Sequence, residues 1–164
     1  MKKAYEYETA IGRFLIAEDT RGITDITLIH GDDKEALIGK YAMIETEQLR
    51  EAAAQLREYL EGRRRNFTIR INPQGTPFQQ KVCEALRRIP YGETRSYKQI
   101  AEEIGNRRAS RAVGMANHHN PIMCVIPCHR VIGAKGSMVG YAGGIEIKKQ
   151  LLGLEQGKEV LYEI

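Results

Sequence analysis

The sequence predicts a two-part α/β protein. A small N-terminal antiparallel β-sheet with a helix fills residues 1–72, and a mainly helical domain with a helix-turn-helix fills 73–164. Three observations carry this. Apolar and polar residues alternate through much of 4–29, the pattern of half-buried strands. An Asn-Pro-Gln-Gly-Thr-Pro run at 72–77 breaks every periodic pattern and reads as the linker. Beyond it, apolar residues return at helical spacing.

The elements follow in order. Residues 4–9 and 13–18, separated by Ala-Ile-Gly, form a hairpin, and Ile23 to Ile29 adds a β-branched third strand after the Asp-Thr-Arg-Gly turn. Leu49, Ala53, Leu56 and Leu60 place an amphipathic helix from Thr46 to Gly62, and Asn66–Ile71 reads as a fourth strand. Thr76-Pro77-Phe78 opens a helix with a cap and a first-turn proline, and Pro90-Tyr91-Gly92 closes it. Ser96 with Gln99 three residues later forms a capping box for a second helix that Gly105 stops. Asn106–Ala109 turn, and Ser110 opens a third helix to about Asn117, completing a helix-turn-helix pattern.

At 164 residues the chain can bury a core without staples, and 42% hydrophobic with 28% charged residues is ordinary globular composition. No apolar stretch approaches the roughly 20 residues that span a bilayer. The N-terminus lacks the apolar centre of a signal peptide. Three cysteines, Cys83, Cys124 and Cys128, are an odd set at ordinary spacing. That argues against a disulfide framework and for the cytoplasm. Residues 1–76 carry 12 Lys/Arg against 13 Asp/Glu, and residues 77–164 carry 13 against 8. This asymmetry fits a polyanion-facing surface and equally a solvated face of mixed charge.

The third helix sharpens the choice. Arg107, Arg108 and Arg111 cluster at its start, followed by the small residues Ala112, Gly114 and Ala116. Small side chains permit close approach to a groove while arginines reach phosphates or bases. Tight helix–helix packing explains the small residues equally well.

The densest chemistry lies between Asn120 and Val131, where an apolar strand-like run ends in Pro127-Cys128-His129-Arg130. Cationic neighbours favour the thiolate, the attacking form of cysteine. Cys83 and Cys124 sit among apolar neighbours and read as small buried hydrophobes; Cys128 does not. A nucleophile needs a base, and an imidazole oriented by a carboxylate is the common solution. His129 is the candidate base and Glu155 the candidate orienting group, although alone Glu155 would read as an exposed helix-end carboxylate. Gly133, Gly136, Gly140, Gly143 and Gly144 surround Tyr141 in a stretch that suits either a ligand-binding wall or a surface loop.

Pro127-Cys128-His129-Arg130-Val131, with Asn120-Pro121 before it and Gly140-Tyr141-Ala142-Gly143-Gly144 after it, closely resembles the O6-alkylguanine-DNA alkyltransferases, the methylated-DNA–protein-cysteine methyltransferases. Ser96-Tyr97, Ser110-Arg111-Ala112-Val113-Gly114 and the Lys148, Leu151-Leu152, Glu155 ending resemble the same family in the same order. The resemblance spans roughly 77–155 and is to the single-function bacterial type. It implies a ribonuclease-H-like N-terminal domain and a winged-helix-like C-terminal one.

The implied activity is irreversible transfer of a methyl or other alkyl group from O6 of guanine in DNA to Cys128, once per molecule, with O4 of thymine a second candidate site. The damaged base would be flipped into a pocket, with Arg111 filling the gap and Ser110, Ala112 and Gly114 along the docking helix. His129 would activate the thiol through a water, Glu155 would orient it, Tyr97 would protonate N3 of the leaving guanine, and Asn120 would tie the turns together. The carbonyls of Cys128 and Val131 would accept from the guanine amine and the Ala142 N–H would face O6. Tyr141 and Met123 would wall the pocket with Lys148 in support. Alanine at 142, where several relatives carry serine, retains the backbone donor, and Met123, where some carry proline, leaves the tolerated alkyl size open. No cofactor and no metal are expected, the zinc-binding residues of some relatives being absent. The expected partner is double-stranded DNA containing O6-alkylguanine, met by a cytoplasmic monomer away from any membrane. Two rivals are a lesion sensor that binds without transfer, whose examples lack the acceptor cysteine, and a cysteine hydrolase, which leaves Arg111 and the helix-turn-helix without a role.

Overall fold

Lys3–Thr9 (β1), Gly12–Asp19 (β2) and Gly22–Leu28 (β3) form an antiparallel meander in the computed structural model, which describes residues 1–31, 34–133 and 144–157. Only Ala10 and Ile11 separate β1 from β2, since Thr9 pairs with Gly12. At the next turn the Asp19 carboxylate accepts from the backbone N–H of Arg21 (2.8 Å) and Gly22 (3.1 Å), a side-chain substitute for turn hydrogen bonds. Gly22 has φ +149°, and a Cβ there would lie 2.7 Å from the carbonyl oxygen of Arg70.

The sheet departs from the sequence reading in two ways. It is mixed rather than antiparallel: Ala42–Met43 (β4) pairs in parallel with β1, giving the order β3-β2-β1-β4. A short helix, Lys34–Ile38 (α1), precedes β4 and is not foreshadowed by any periodicity. The strand expected over 66–71 is not formed; Ile71 makes one isolated bridge to Ile23. The reason is local. The buried Gln55 carboxamide accepts from the Thr68 N–H (2.9 Å) and donates to its hydroxyl (2.8 Å), so a side chain replaces the strand partner.

Alternation in β2 also gives way to continuous burial of Phe14, Leu15, Ile16 and Ala17. Successive strand residues face opposite sides, and here both sides are covered. Leu15 and Ala17 join Ala4 beneath Ile29, Leu37, Tyr41 and Met43. The other side takes the helix Glu47–Leu60 (α2), capped by Thr46, which buries Leu49, Ala52, Ala53, Leu56 and Tyr59. Each such large apolar side chain contributes about 1.5–3 kcal/mol on burial.

The chain divides into two units. The first holds Met1–Gln74 together with Pro121–Met123. That three-residue segment lies along β3, where Ile26 N–H donates to Pro121 O (2.9 Å) and Met123 N–H to Ile26 O (3.1 Å). The apolar run before Cys128 is therefore strand-like only at this bridge; turns follow at once.

The second unit holds Gly75–Asn120 and the described residues from Cys124 onward. Its helices are Pro77–Arg87 (α3), Tyr97–Glu103 (α4), Ser110–His118 (α5) and Ile145–Gln156 (α6). Capping boxes start α3 (Thr76 with Gln79) and α4 (Ser96 with Gln99). Val82, Leu86, Ile100, Val113, Ile126, Leu151 and Leu152 are buried in this unit. Arg95–Ser96 (β5) and Val131–Ile132 (β6) pair in parallel, which fixes the start of α4 beside the exit from the cysteine turn.

Gly22→Ala should lower stability by about 1–3 kcal/mol, because its φ is essentially a glycine conformation and the new Cβ meets a backbone oxygen. Gly31→Ala, with nothing within 4 Å, should stay within about 0.5 kcal/mol of the parent. Urea midpoints of the two variants and the parent check this.

Candidate active site

Cys128, His129 and Arg130 form a single 3₁₀ turn, and all three are buried. The turn is tied from several sides. Cys128 N–H donates to Ile126 O (2.8 Å) and Arg130 N–H to Pro127 O (3.0 Å). Asn120 Nδ2 donates to the same Ile126 carbonyl (2.8 Å), bracing the approach to the cysteine. Just upstream, Cys124 has φ +71°, unique among the described non-glycine residues. Strained backbone of this kind persists where its surroundings over-determine it.

Behind the cysteine lies a buried ion cluster centred on Glu155. Its Oε2 accepts from His129 Nε2 (2.7 Å) and Arg130 Nη2 (2.9 Å). Its Oε1 accepts from Arg130 Nε (2.8 Å) and the Gly92 N–H (3.1 Å). Arg130 Nη1 donates to Ile89 O (2.7 Å), and its guanidinium lies 5.7 Å from the Tyr91 ring centroid. The fork geometry holds the carboxylate in one orientation. Glu155 is only 7% exposed, so the exposed-carboxylate alternative is not what forms.

His129 is fully buried, and burial pushes its pKa below the ordinary value; the Glu155 carboxylate opposes that shift and the Arg130 and Lys148 charges reinforce it. The imidazole is thus neutral, with its proton on Nε2 toward the carboxylate. Nδ1 is then the basic nitrogen.

Lys148, Leu151, Leu152 and Glu155 are all buried on α6, at the i, i+3, i+4, i+7 spacing of one face. Lys148 is wholly buried, and burial lowers its pKa to about 8, while the Cys128 charge pulls it upward. Tyr97, the first residue of α4, is half-buried with its pKa raised by burial and then by Cys128. Its ring faces α5, where a Cβ on Gly114 would sit 3.7 Å away. Cys83 and Cys124 are buried free thiols with pKa values pushed up by burial, Cys83 to about 11.

The structure thus brings Cys128, His129 and Glu155 into one turn and its backing, with Asn120 bracing them. Val131 is buried in β6, and its N–H donates to Cys128 O. Met123 lies buried in the three-residue segment paired with β3. Ser110 and Gly114 are partly buried on α5, whereas Arg111 and Ala112 are exposed, as are Arg107 and Arg108 before it. Tyr141 and Ala142 lie outside the described residues.

Sequence reading missed two participants. Arg130 was only a neighbouring cation there, yet it clamps Glu155. Asn117 was not singled out. It is fully buried on α5 and donates through Nδ2 to Cys128 O (3.3 Å). Its signal was present, a carboxamide at i+4 from Val113 on the inward face of the helix.

Comparison with known proteins matches residues 2–73 to the 6-O-methylguanine DNA methyltransferase ribonuclease-like domain and residues 77–157 to the DNA binding domain of the same name. A methylated-DNA–protein-cysteine methyltransferase of Methanosarcina acetivorans is 47% identical over 91% of this chain and 95% of its own length. The constitutive one of Bacillus subtilis is 46% identical, over 91% and 92%. Among solved structures, the Mycobacterium tuberculosis O6-methylguanine methyltransferase aligns with a TM-score of 0.84 at 38% identity, covering 96% of this chain and 94% of that one. Its counterpart in complex with DNA gives 0.85 at 39%, over 94% and 93%.

Lys148 generates a pH prediction. Its folded pKa, about 8, lies below the ordinary lysine value of 10.5. Its burial cost is therefore full below pH 8 and vanishes as pH rises through 10.5. Lys148→Met should raise the urea midpoint at pH 7, with a gain that shrinks between pH 8 and 10.5. A gain independent of pH in paired urea titrations would contradict the assignment.

Proposed function

The chain belongs to the 6-O-methylguanine DNA methyltransferase family, and from that premise we propose that it repairs DNA by direct reversal, taking a methyl or other alkyl group from O6 of guanine onto Cys128. The observation that carries the site assignment is the buried His129–Glu155 contact of 2.7 Å, one residue along from a cysteine that is 1% exposed. A neutral imidazole held by a carboxylate is a competent base for a thiol.

In the proposed reaction the thiol proton passes to His129 Nδ1 through a water, and the Cys128 sulfur attacks the alkyl carbon. A C–S bond forms as the C–O6 bond breaks, its electron pair leaving with the base. Tyr97 donates a proton to guanine N3 and is reprotonated from the His129 side, so the thiol proton ends on the base. The carbon is saturated, so no oxyanion hole is involved. A thioether is a poor leaving group, and each molecule acts once.

The base reaches the thiol only when flipped from the duplex. Residues 73–164 carry both docking and chemistry in this reading. The α5 segment has exposed Arg111 and Ala112 on its outer face and no acidic residue, with Arg107 and Arg108 just before it. Arg111 fills the space that the base vacates, and the helix lies in the minor groove. A thiol that must stay reduced to react and a DNA substrate support a cytoplasmic location; no helix among the described residues is long and apolar enough to cross a membrane.

A duplex with one O6-methylguanine should leave a single added methyl on the Cys128 peptide, read by mass spectrometry, in a stoichiometric reaction that Cys128→Ala abolishes. Repeated turnover, or a repaired base beside unmodified Cys128, would sink the reading. Arg111→Ala should slow transfer from the duplex at least about tenfold more than transfer from free O6-benzylguanine, since only the duplex needs the base extruded at a cost of a few kcal/mol. Equal losses on both substrates would remove Arg111 from that role.

A further inference from the structure

Met115 is an exposed apolar side chain that the reaction above does not use. It is 61% exposed, whereas its neighbours on α5, Val113, Ala116 and Asn117, are buried. Among the described residues of the second unit, no other large apolar side chain is so exposed. A lone exposed methionine is ordinary on a protein surface; its position is what distinguishes this one. Arg111 lies four residues earlier, so the two share one face of α5. Between them Ala112 is exposed and small, so both longer side chains stand clear of the helix surface.

Charge says what this face meets. No acidic residue lies on α5, Arg107 and Arg108 are exposed just before it, and His118 and His119 are exposed at its end. An apolar side chain set among arginines suits the minor groove of duplex DNA, where cations meet phosphates and apolar groups such as methionine reach the base edges. Helical residues rise about 1.5 Å each, so Met115 stands about 6 Å along α5 from Arg111. Base pairs rise about 3.4 Å. With Arg111 in the gap left by the extruded base and α5 along the groove, Met115 falls about two base pairs away. On the groove floor only a G·C pair presents a donor, the guanine N2 amine. A thioether chain pressed over that amine displaces its water and supplies only a weak acceptor, so the donor is left unpaired.

We propose that Met115 is a specificity-determining residue that reads the minor groove beside the lesion. Its side chain packs on the groove floor about two base pairs from the extruded guanine and disfavours a G·C pair there. The proposal rests on the alkyl-transfer reading and on the placement of α5 in the minor groove. Lesions in A·T-rich surroundings are then repaired faster, through a side chain on the outer face of α5 rather than through the base pocket.

The test measures single-turnover methyl transfer to Cys128 from duplexes with one O6-methylguanine. The three pairs on each side of the lesion are all G·C or all hypoxanthine·C, which differ by the N2 amine. Softer duplexes extrude a base more easily with any protein, so the readout is the hypoxanthine-to-guanine rate ratio in the parent divided by that in Met115→Ala. It should be about fivefold or more, the low end of the penalty for one unpaired donor. Met115→Leu keeps the apolar bulk and should keep the parent's ratio. Urea midpoints equal to the parent's check that both variants are folded, as expected for so exposed a side chain. The same ratio in the parent and Met115→Ala, or a ratio lost in Met115→Leu, would overturn the proposal. No methyl on Cys128 from any duplex would overturn the alkyl-transfer reading itself.

Discussion

A single carboxylate, that of Glu155, organises the second unit around the reactive turn. It accepts from the imidazole of His129, twice from the guanidinium of Arg130 and from the backbone N–H of Gly92. Three separate stretches of chain are thereby joined: the loop after α3, the cysteine turn and the last described helix. A buried ion cluster of this kind stabilises only when its charges are paired and its hydrogen bonds are made, and loss of one partner leaves the other stranded. Arg130 supplies the compensating charge, so His129 can remain neutral next to an ionised carboxylate. The imidazole and the fold therefore share one set of interactions.

Helix α5 serves two environments at once. Its outer face exposes Arg111, Ala112 and Met115, while Val113, Ala116 and Asn117 point into the unit. Gly114 lies against the Tyr97 ring, and Asn117 holds the Cys128 carbonyl. Gly114 thus answers to the packing explanation that the sequence left open, while Ala112 stands on the exposed face. Gly114 permits close internal packing, and Ala112 keeps the outward surface low. An event on the outer face is only one helix diameter from the groups that perform the chemistry.

Legibility in the sequence followed the range of the interactions. Capping at Ser96 and Thr76, the hairpin and the helical spacing of α2 and α3 are local, and they could be read directly. The short strand β4 and helix α1 could not, because two paired residues and five helical ones carry no periodic signal. The missing strand at 66–71 was lost to a side chain 13 positions away, Gln55, which competes for the same backbone group as a strand would. In the site, the Cys128-His129 pair was visible as adjacency. Glu155 was visible chiefly through family resemblance, because 26 residues separate it from His129. Arg130 was misjudged because a cation next to a thiol suggests an electrostatic helper, whereas its side chain turns away to the carboxylate.

In the proposed reading, the burial of Cys128 bears on why the protein is consumed. An enzyme that turns over must admit substrate and release product through the same opening, which argues for an accessible nucleophile. An acceptor that keeps the alkyl group has no small product to release, and the repaired base leaves still attached to its DNA. The thiol can then sit at 1% exposure, shielded from oxidants and from stray electrophiles. Shielding carries its own requirement for duplex DNA: the base must be delivered extruded, with the cost of unstacking met by the protein's contacts to the duplex. In the proposed reading α5, exposed on one side and bonded to the cysteine carbonyl on the other, is the element that meets it. The single-use chemistry, the closed site and the position of α5 are on this argument one constraint, expressed at three places in the fold.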